Sequence, residues 1–76
     1  MTYFPNQTGF LTKRIDFVGD SVIYIGESQP GTLESAAMWK IVKITIGTDG
    51  DITEIFAEGT NSFQHKWSDR LTLNYS

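Results

Sequence analysis

An all-β fold, a small antiparallel meander of about five strands, is what the sequence predicts. Three observations carry it. Apolar residues recur with a period of two, Gly- and Pro-containing turn signals punctuate the chain at short intervals, and no segment holds a helical period for more than about a turn. An open sheet, a small barrel and a compact sandwich all satisfy this pattern.

The elements follow in order. Residues 1–9 read as an N-terminal arm, because Pro5, Asn6, Thr8 and Gly9 break any regular pattern. The arm carries Tyr3 and Phe4, which suit an anchor into a neighbour or a fold-back over the chain's own core. Residues 10–76 form the single β domain. Its first strand alternates, with Leu11, Ile15 and Phe17 expected on the buried face and Thr12, Arg14 and Asp16 on the other. Gly19-Asp20 turns the chain into a second strand, Ser21 to Gly26, rich in β-branched residues. In Pro30-Gly31, proline presets φ and glycine accepts a positive φ, which suits a type II turn. Leu33 to Ala37 has helical propensity for about one turn.

Met38 to Ile46 is the strongest strand. Its apolar phase changes from Trp39 and Ile41 to Val42, Ile44 and Ile46, so either both faces are covered or a bulge lies near Ile41-Val42. Asp49-Gly50 is a hairpin turn leading back into Ile52 to Ala57. Phe63 to Trp67 is ambiguous, and Leu71 to Tyr75 alternates as a closing strand. Trp39 follows two alanines, whose small side chains let a large ring pack closely, and is expected to be buried.

Composition narrows the function. The 76 residues hold no Cys and a single His, so disulfides and cysteine-ligated metals are excluded, and one histidine holds no structural zinc alone. A core this small supplies only about 3–5 kcal/mol, which makes a partner surface the natural source of further stability. Nine acidic and six basic residues are scattered, for a net charge of −3, without the basic stripe of a nucleic-acid domain. No apolar run approaches a membrane span, and the first residues lack a signal-peptide pattern. Asn6-Gln7-Thr8 and Asn74-Tyr75-Ser76 match the glycosylation sequon, and without a secretion signal both are read as chance.

No catalytic set stands out, and the chain is expected not to be an enzyme and to need no cofactor. Asp49-Gly50-Asp51 opens like a calcium loop without its later ligands. His65, Asp69 and Ser62 or Ser68 have the letters of a triad but no nucleophile elbow. Asp16, Glu27, Glu54 and Glu58 offer acid–base pairs only if a pocket gathers them. Two clusters remain. Trp39-Lys40-Ile41-Val42-Lys43-Ile44 mixes an aromatic with cations, as a single-strand nucleic-acid binder does, or as a core Trp with solvent-facing Lys does. Phe63 to Arg70 combines aromatics with charge, and Trp67 and Arg70 belong to the residue types enriched at binding hot spots. Core packing is the competing reading for Trp67.

Tyr24-Ile25-Gly26, Pro30-Gly31-Thr32, Ala37-Met38-Trp39-Lys40-Ile41, Asp49-Gly50-Asp51, Phe63, Trp67, Asp69-Arg70 and Leu73-Asn74-Tyr75-Ser76, in this order, resemble small virion-associated proteins of tailed bacteriophages and prophages. The resemblance spans residues 24–76, with Met38 where a smaller residue is usual and Lys40 where Arg is. It implies a compartment, the virion, reached after synthesis in the host cytoplasm, and no catalytic residues. The expectation is a structural protein docking on other virion proteins in symmetric copies, as tail component, fibre adaptor or capsid decoration. Tyr3, Phe4, Trp67 and Arg70 are its candidate protein-binding residues. The alternative is a phage-encoded nucleic-acid or host-factor binder using Lys13, Arg14, Trp39, Lys40 and Lys43.

Overall fold

The computed structural model describes residues 11–76. Strands β1 (Thr12–Val18), β2 (Val22–Ser28), β3 (Ala37–Ile46) and β4 (Ile52–Phe56) form an open antiparallel sheet in sequence order. A two-residue strand, β5 (His65–Lys66), pairs with the start of β3 and runs into a 3-10 turn, Trp67–Asp69. The 1–9 arm, with Tyr3 and Phe4, lies outside the described residues.

The turns follow their residues. Gly19, Gly31 and Gly50 have φ of 70°, 87° and 91°, values that L side chains rarely adopt. Thr32 N–H bonds Gln29 O at 3.2 Å across Pro30-Gly31, as a type II turn requires. Asp49 Oδ1 accepts from Asp51 N–H at 3.1 Å, so the Asp-Gly-Asp segment closes a hairpin. Leu33 to Ala36 makes one turn, Ala36 N–H to Leu33 O at 3.1 Å.

Cross-strand partners share a face of a sheet, so the register sorts every side chain. Tyr24 pairs with Asp16 and Lys43, and Gly26 with Arg14 and Ile41. This inner face carries the core, Tyr24, Trp39, Ile41, Ala57 and Trp67, with Val22, Leu73 and Tyr75 packed against it. Trp39 and Ile41 are completely buried, as expected of Trp39. The other, outer face takes Ile15 and Phe17 from β1, Ile23 and Ile25 from β2, Val42, Ile44 and Ile46 from β3, and Ile52 and Phe56 from β4.

Two expectations are thereby corrected. The apolar side of β1 is not its core side: Ile15 and Phe17 are 54% and 70% exposed, while Arg14 and Asp16 share the inner face with the tryptophans. Pairing decides this, because β2 turns Tyr24, Gly26 and Ser28 inward and β1 must match their parity. The closing strand at residues 71–75 is also absent. Tyr75 makes a single bridge to Ala57, and the fifth strand is His65–Lys66. The phase change in β3 is apolar character on both faces, since pairing with β2 runs unbroken through Ile41-Val42 and pairing with β4 begins at Val42 without a shift. The irregularity sits earlier, between Ala37 and Trp39 opposite β5.

Gly26 is the narrowest point of the core. A Cβ there would overlap Trp67 Cε3, stand 2.7 Å from Cζ3 of the same ring and 3.2 Å from Trp39 Cε3. Gly26→Ala should therefore cost about 1–3 kcal/mol by overpacking, read as a lower urea midpoint at unchanged slope. A midpoint equal to wild type would mean that Trp67 does not rest on this glycine.

Candidate interaction surface

The inner face shows how the charged and aromatic candidates are used. Trp67 is 4% exposed, and its ring centroid lies 6.0 Å from that of Trp39 at a tilt of 39°. Arg70 stacks its guanidinium 4.6 Å above the Trp67 ring, donates from Nε to Asp16 Oδ2 at 3.0 Å and from Nη1 to Trp67 O at 3.2 Å. Trp67 thus belongs to the core and is not offered for insertion into a neighbour, which corrects its reading as an anchor. Arg70 ties the 3-10 turn to β1 instead of projecting as a free fork.

The C-terminal segment is held by bonds on both sides. Ser68 N–H reaches Glu34 O at 3.1 Å, and Tyr75 Oη donates to Arg70 O at 2.7 Å. Burial pushes the Tyr75 hydroxyl well above the usual phenol range, aided by Tyr24 and opposed by Arg70. Tyr24 and Tyr75 rings pack at 5.6 Å, and Lys43 Nζ stands 6.0 and 5.8 Å from their centroids. Ser28, 1% exposed, donates to Met38 O at 2.6 Å, and Trp39 Nε1 donates to Leu33 O at 2.9 Å. Every one of these contacts closes the inner face.

The residues of the nucleic-acid alternative are engaged within the chain too, on both faces. Trp39 has no exposed ring on which a base could stack. Arg14 bonds Glu34 at 3.1 Å and lies 5.8 Å above Trp39. Lys40 and Lys13 flank Glu27 at 2.9 and 3.7 Å on the outer face.

The candidates for chemistry lie apart. Asp16 and Glu27 are in ion pairs, and Glu58 accepts from Asn74 N–H at 3.2 Å. Glu54 is exposed on β4. His65 is buried in β5 with Nε2 unpaired, while Ser62, Ser68 and Asp69 are exposed. Among the described residues, no three His, Asp or Glu side chains gather as metal ligands. A depression of about 150 Å³ is lined by Ser28, Gln29, Met38 and Phe63. It is well below the roughly 300–1,000 Å³ of ordinary ligand pockets.

The outer face is different. Val42 at its centre is buried and Ile23, Ile25, Ile44, Ile46 and Phe56 are half-buried, while Ile15, Phe17 and Ile52 are wide open. Lys13, Glu27, Lys40 and Glu54 share the face. Phe63 approaches one end, 5.8 Å from Lys40 Nζ. Among the described residues, the packed core cluster takes none from this face. From a rise of about 3.3 Å per residue and a strand spacing of about 4.8 Å, four strands of about seven residues project roughly 440 Å². Only part of that area is exposed apolar surface, concentrated at Ile15, Phe17 and Ile52. Sequence reading missed this surface because it placed Ile15 and Phe17 in the core. Two-sided apolar character in β3 was the signal that pointed to it.

In comparison with known proteins, the chain matches no family model, no curated protein and no solved structure.

The Lys13–Glu27–Lys40 cluster has a pH signature. The bond from Lys40 holds the Glu27 carboxyl below its ordinary value of 4.5, burial opposes this, and the charges of Lys40 and Lys13 reinforce it. Since the folded value is depressed, the cluster's contribution is complete above the unfolded value and lost as pH falls through the folded one. At 24% side-chain exposure it is small, below about 1 kcal/mol. Glu27→Gln should therefore lose less stability than wild type between about pH 5 and pH 3 in urea titrations. Parallel pH profiles would remove the cluster from the account.

Proposed function

We propose that the chain is a protein-docking module, a structural component of a bacteriophage virion that binds other virion proteins through the outer face of its sheet. The observation that carries the docking role is the asymmetry between the two faces. The inner one is closed by the chain's own tryptophans and C-terminal segment, and the outer one presents Ile15, Phe17 and Ile52 to solvent. A small domain gains little from leaving three large apolar side chains exposed. A partner that covers them adds about 25 cal/mol per Å² of apolar surface buried. The virion assignment rests on the resemblance of residues 24–76 to small phage virion proteins. The tail, fibre adaptor and capsid decoration remain the sites it fits, and the Tyr3-Phe4 pair, which the sequence offers as an anchor, belongs to the same reading.

Aromatic and large aliphatic side chains on a rigid sheet make a pre-organised contact surface. The ion-paired Glu27 cluster at one edge of this face supplies polar rim, where charges cost less than in the middle of an interface. No pocket or proton transfer is needed for such a role.

Phe17→Lys combined with Ile52→Lys should leave the fold intact, since both positions are exposed, with stability within about 0.5 kcal/mol of wild type. The same variant should be lost from purified particles, where gel densitometry of wild type gives an integral copy number. Incorporation of the variant at wild-type copy number would move the docking surface elsewhere. Absence of the wild-type chain from purified particles would end the virion assignment.

A further inference from the structure

We infer that two copies of the chain pair antiparallel along β1, about a two-fold axis through Ile15, and so join their outer faces into one continuous platform. The edge itself is the first ground. Among the described residues β1 pairs only with β2, which leaves the other side of a seven-residue strand as an open row of N–H and C=O groups. Neither a proline nor a bulge blunts it, and its charged side chains, Lys13, Arg14 and Asp16, guard it against any partner that does not match their order.

Charge selects the register. A two-fold axis normal to the sheet keeps corresponding faces on the same side, so each residue must meet one of its own parity. Three central registers satisfy this. Centring on 14 sets Arg14 against Arg14 of the second copy, and centring on 16 sets Asp16 against Asp16, both like-charge contacts. Centring on 15 sets Arg14 opposite Asp16 twice, Ile15 against itself, and Lys13 opposite Phe17 twice. The inner-face pair extends bonds already present within each copy, Glu34 to Arg14 at 3.1 Å and Arg70 to Asp16 at 3.0 Å. The result is a row of alternating charge, Glu34, Arg14, Asp16 and Arg70, crossing the junction in both directions. On the outer face the lysine stem lies along the phenylalanine ring with its ammonium at the edge.

The sheet surface gives the second ground. One outer face projects roughly 440 Å² by strand spacing. Two faces joined edge to edge double it, with the exposed Ile15 and Phe17 of both copies at the centre. The platform's use rests on the docking role proposed above, whereas the pairing itself is a property of the free chain and can be tested without any partner.

The chain has no cysteine, so a single introduced thiol reports one contact. Ile15 is 54% exposed and tolerates replacement. In Ile15→Cys the two thiols face each other across the axis, with Cα atoms about 4.5–5.5 Å apart, inside the roughly 4.4–6.8 Å that disulfides span. In Phe17→Cys they stand four residues out of register, about 13 Å apart. Ile52→Cys lies on β4, at the far edge. Under mild oxidation of the purified full chain, Ile15→Cys should give a disulfide dimer on a non-reducing gel, and Phe17→Cys and Ile52→Cys should stay monomeric. Wild type should weigh as a dimer by light scattering at the same concentration. A wild-type monomer, or no crosslink in Ile15→Cys, would overturn the pairing. Crosslinking of Phe17→Cys or Ile52→Cys at the rate of Ile15→Cys would also overturn it, in favour of face-to-face contact. A β1-paired dimer that fails to enter particles would leave this inference standing and count against the docking role alone.

Discussion

The contact between Trp39 and Trp67 across the bare backbone of Gly26 is the constraint on which the rest depends. Trp39 comes from the longest strand and Trp67 from a segment with almost no regular structure of its own. That segment is held because its one large ring finds a flat seat: Gly26 removes the side chain that would lift it, and Trp39 supplies the wall. Arg70 then covers the ring, bonds Asp16 of the edge strand and receives the Tyr75 hydroxyl on its carbonyl. One aromatic contact thereby recruits the chain from His65 to Ser76 as a lid for the inner face.

The same contact decides which face of the sheet is inside. Once Gly26 must face Trp67, Tyr24 and Ser28 face inward with it, and antiparallel pairing carries the choice to β1 and β3. For β3 the choice suits the residues, since Trp39 and Ile41 go in. For β1 it does not. Arg14 and Asp16 are turned inward and must find Glu34 and Arg70, while Ile15 and Phe17 are turned out. A residue pattern that runs against the fold in this way is expected where function, rather than stability, sets the side chain.

Much of the fold was legible in local signals. Pro30-Gly31 and Asp49-Gly50 form the turns their backbone preferences demand, and the strands from β1 to β4 follow their β-branched runs. What was not legible depended on distant residues. Alternation in residues 11–17 identifies a strand but not its inward side, because that side is set by a glycine and a tryptophan far along the chain. The alternation of residues 71–75 was misleading for a related reason. Leu73 and Tyr75 are apolar because they form the underside of that lid, and a packed loop can show the same spacing as a strand. The doubly apolar β3 was the one sequence feature that already pointed to two usable faces.

The two faces of the sheet therefore differ. Tyr24, Trp39, Trp67 and Tyr75, with Arg14, Lys43 and Arg70 beside their rings, close the inner side, and Ile15, Phe17 and Ile52 stand exposed on the outer side. The most direct test is methyl NMR of the isoleucines in the presence of a soluble paramagnetic agent, for the chain free and docked in its assembly. The account predicts strong broadening of Ile52 in the free chain, its protection on docking, and an unaffected Ile41 in both states. Protection of Ile52 already in the free chain, or its continued broadening in the assembly, would contradict it.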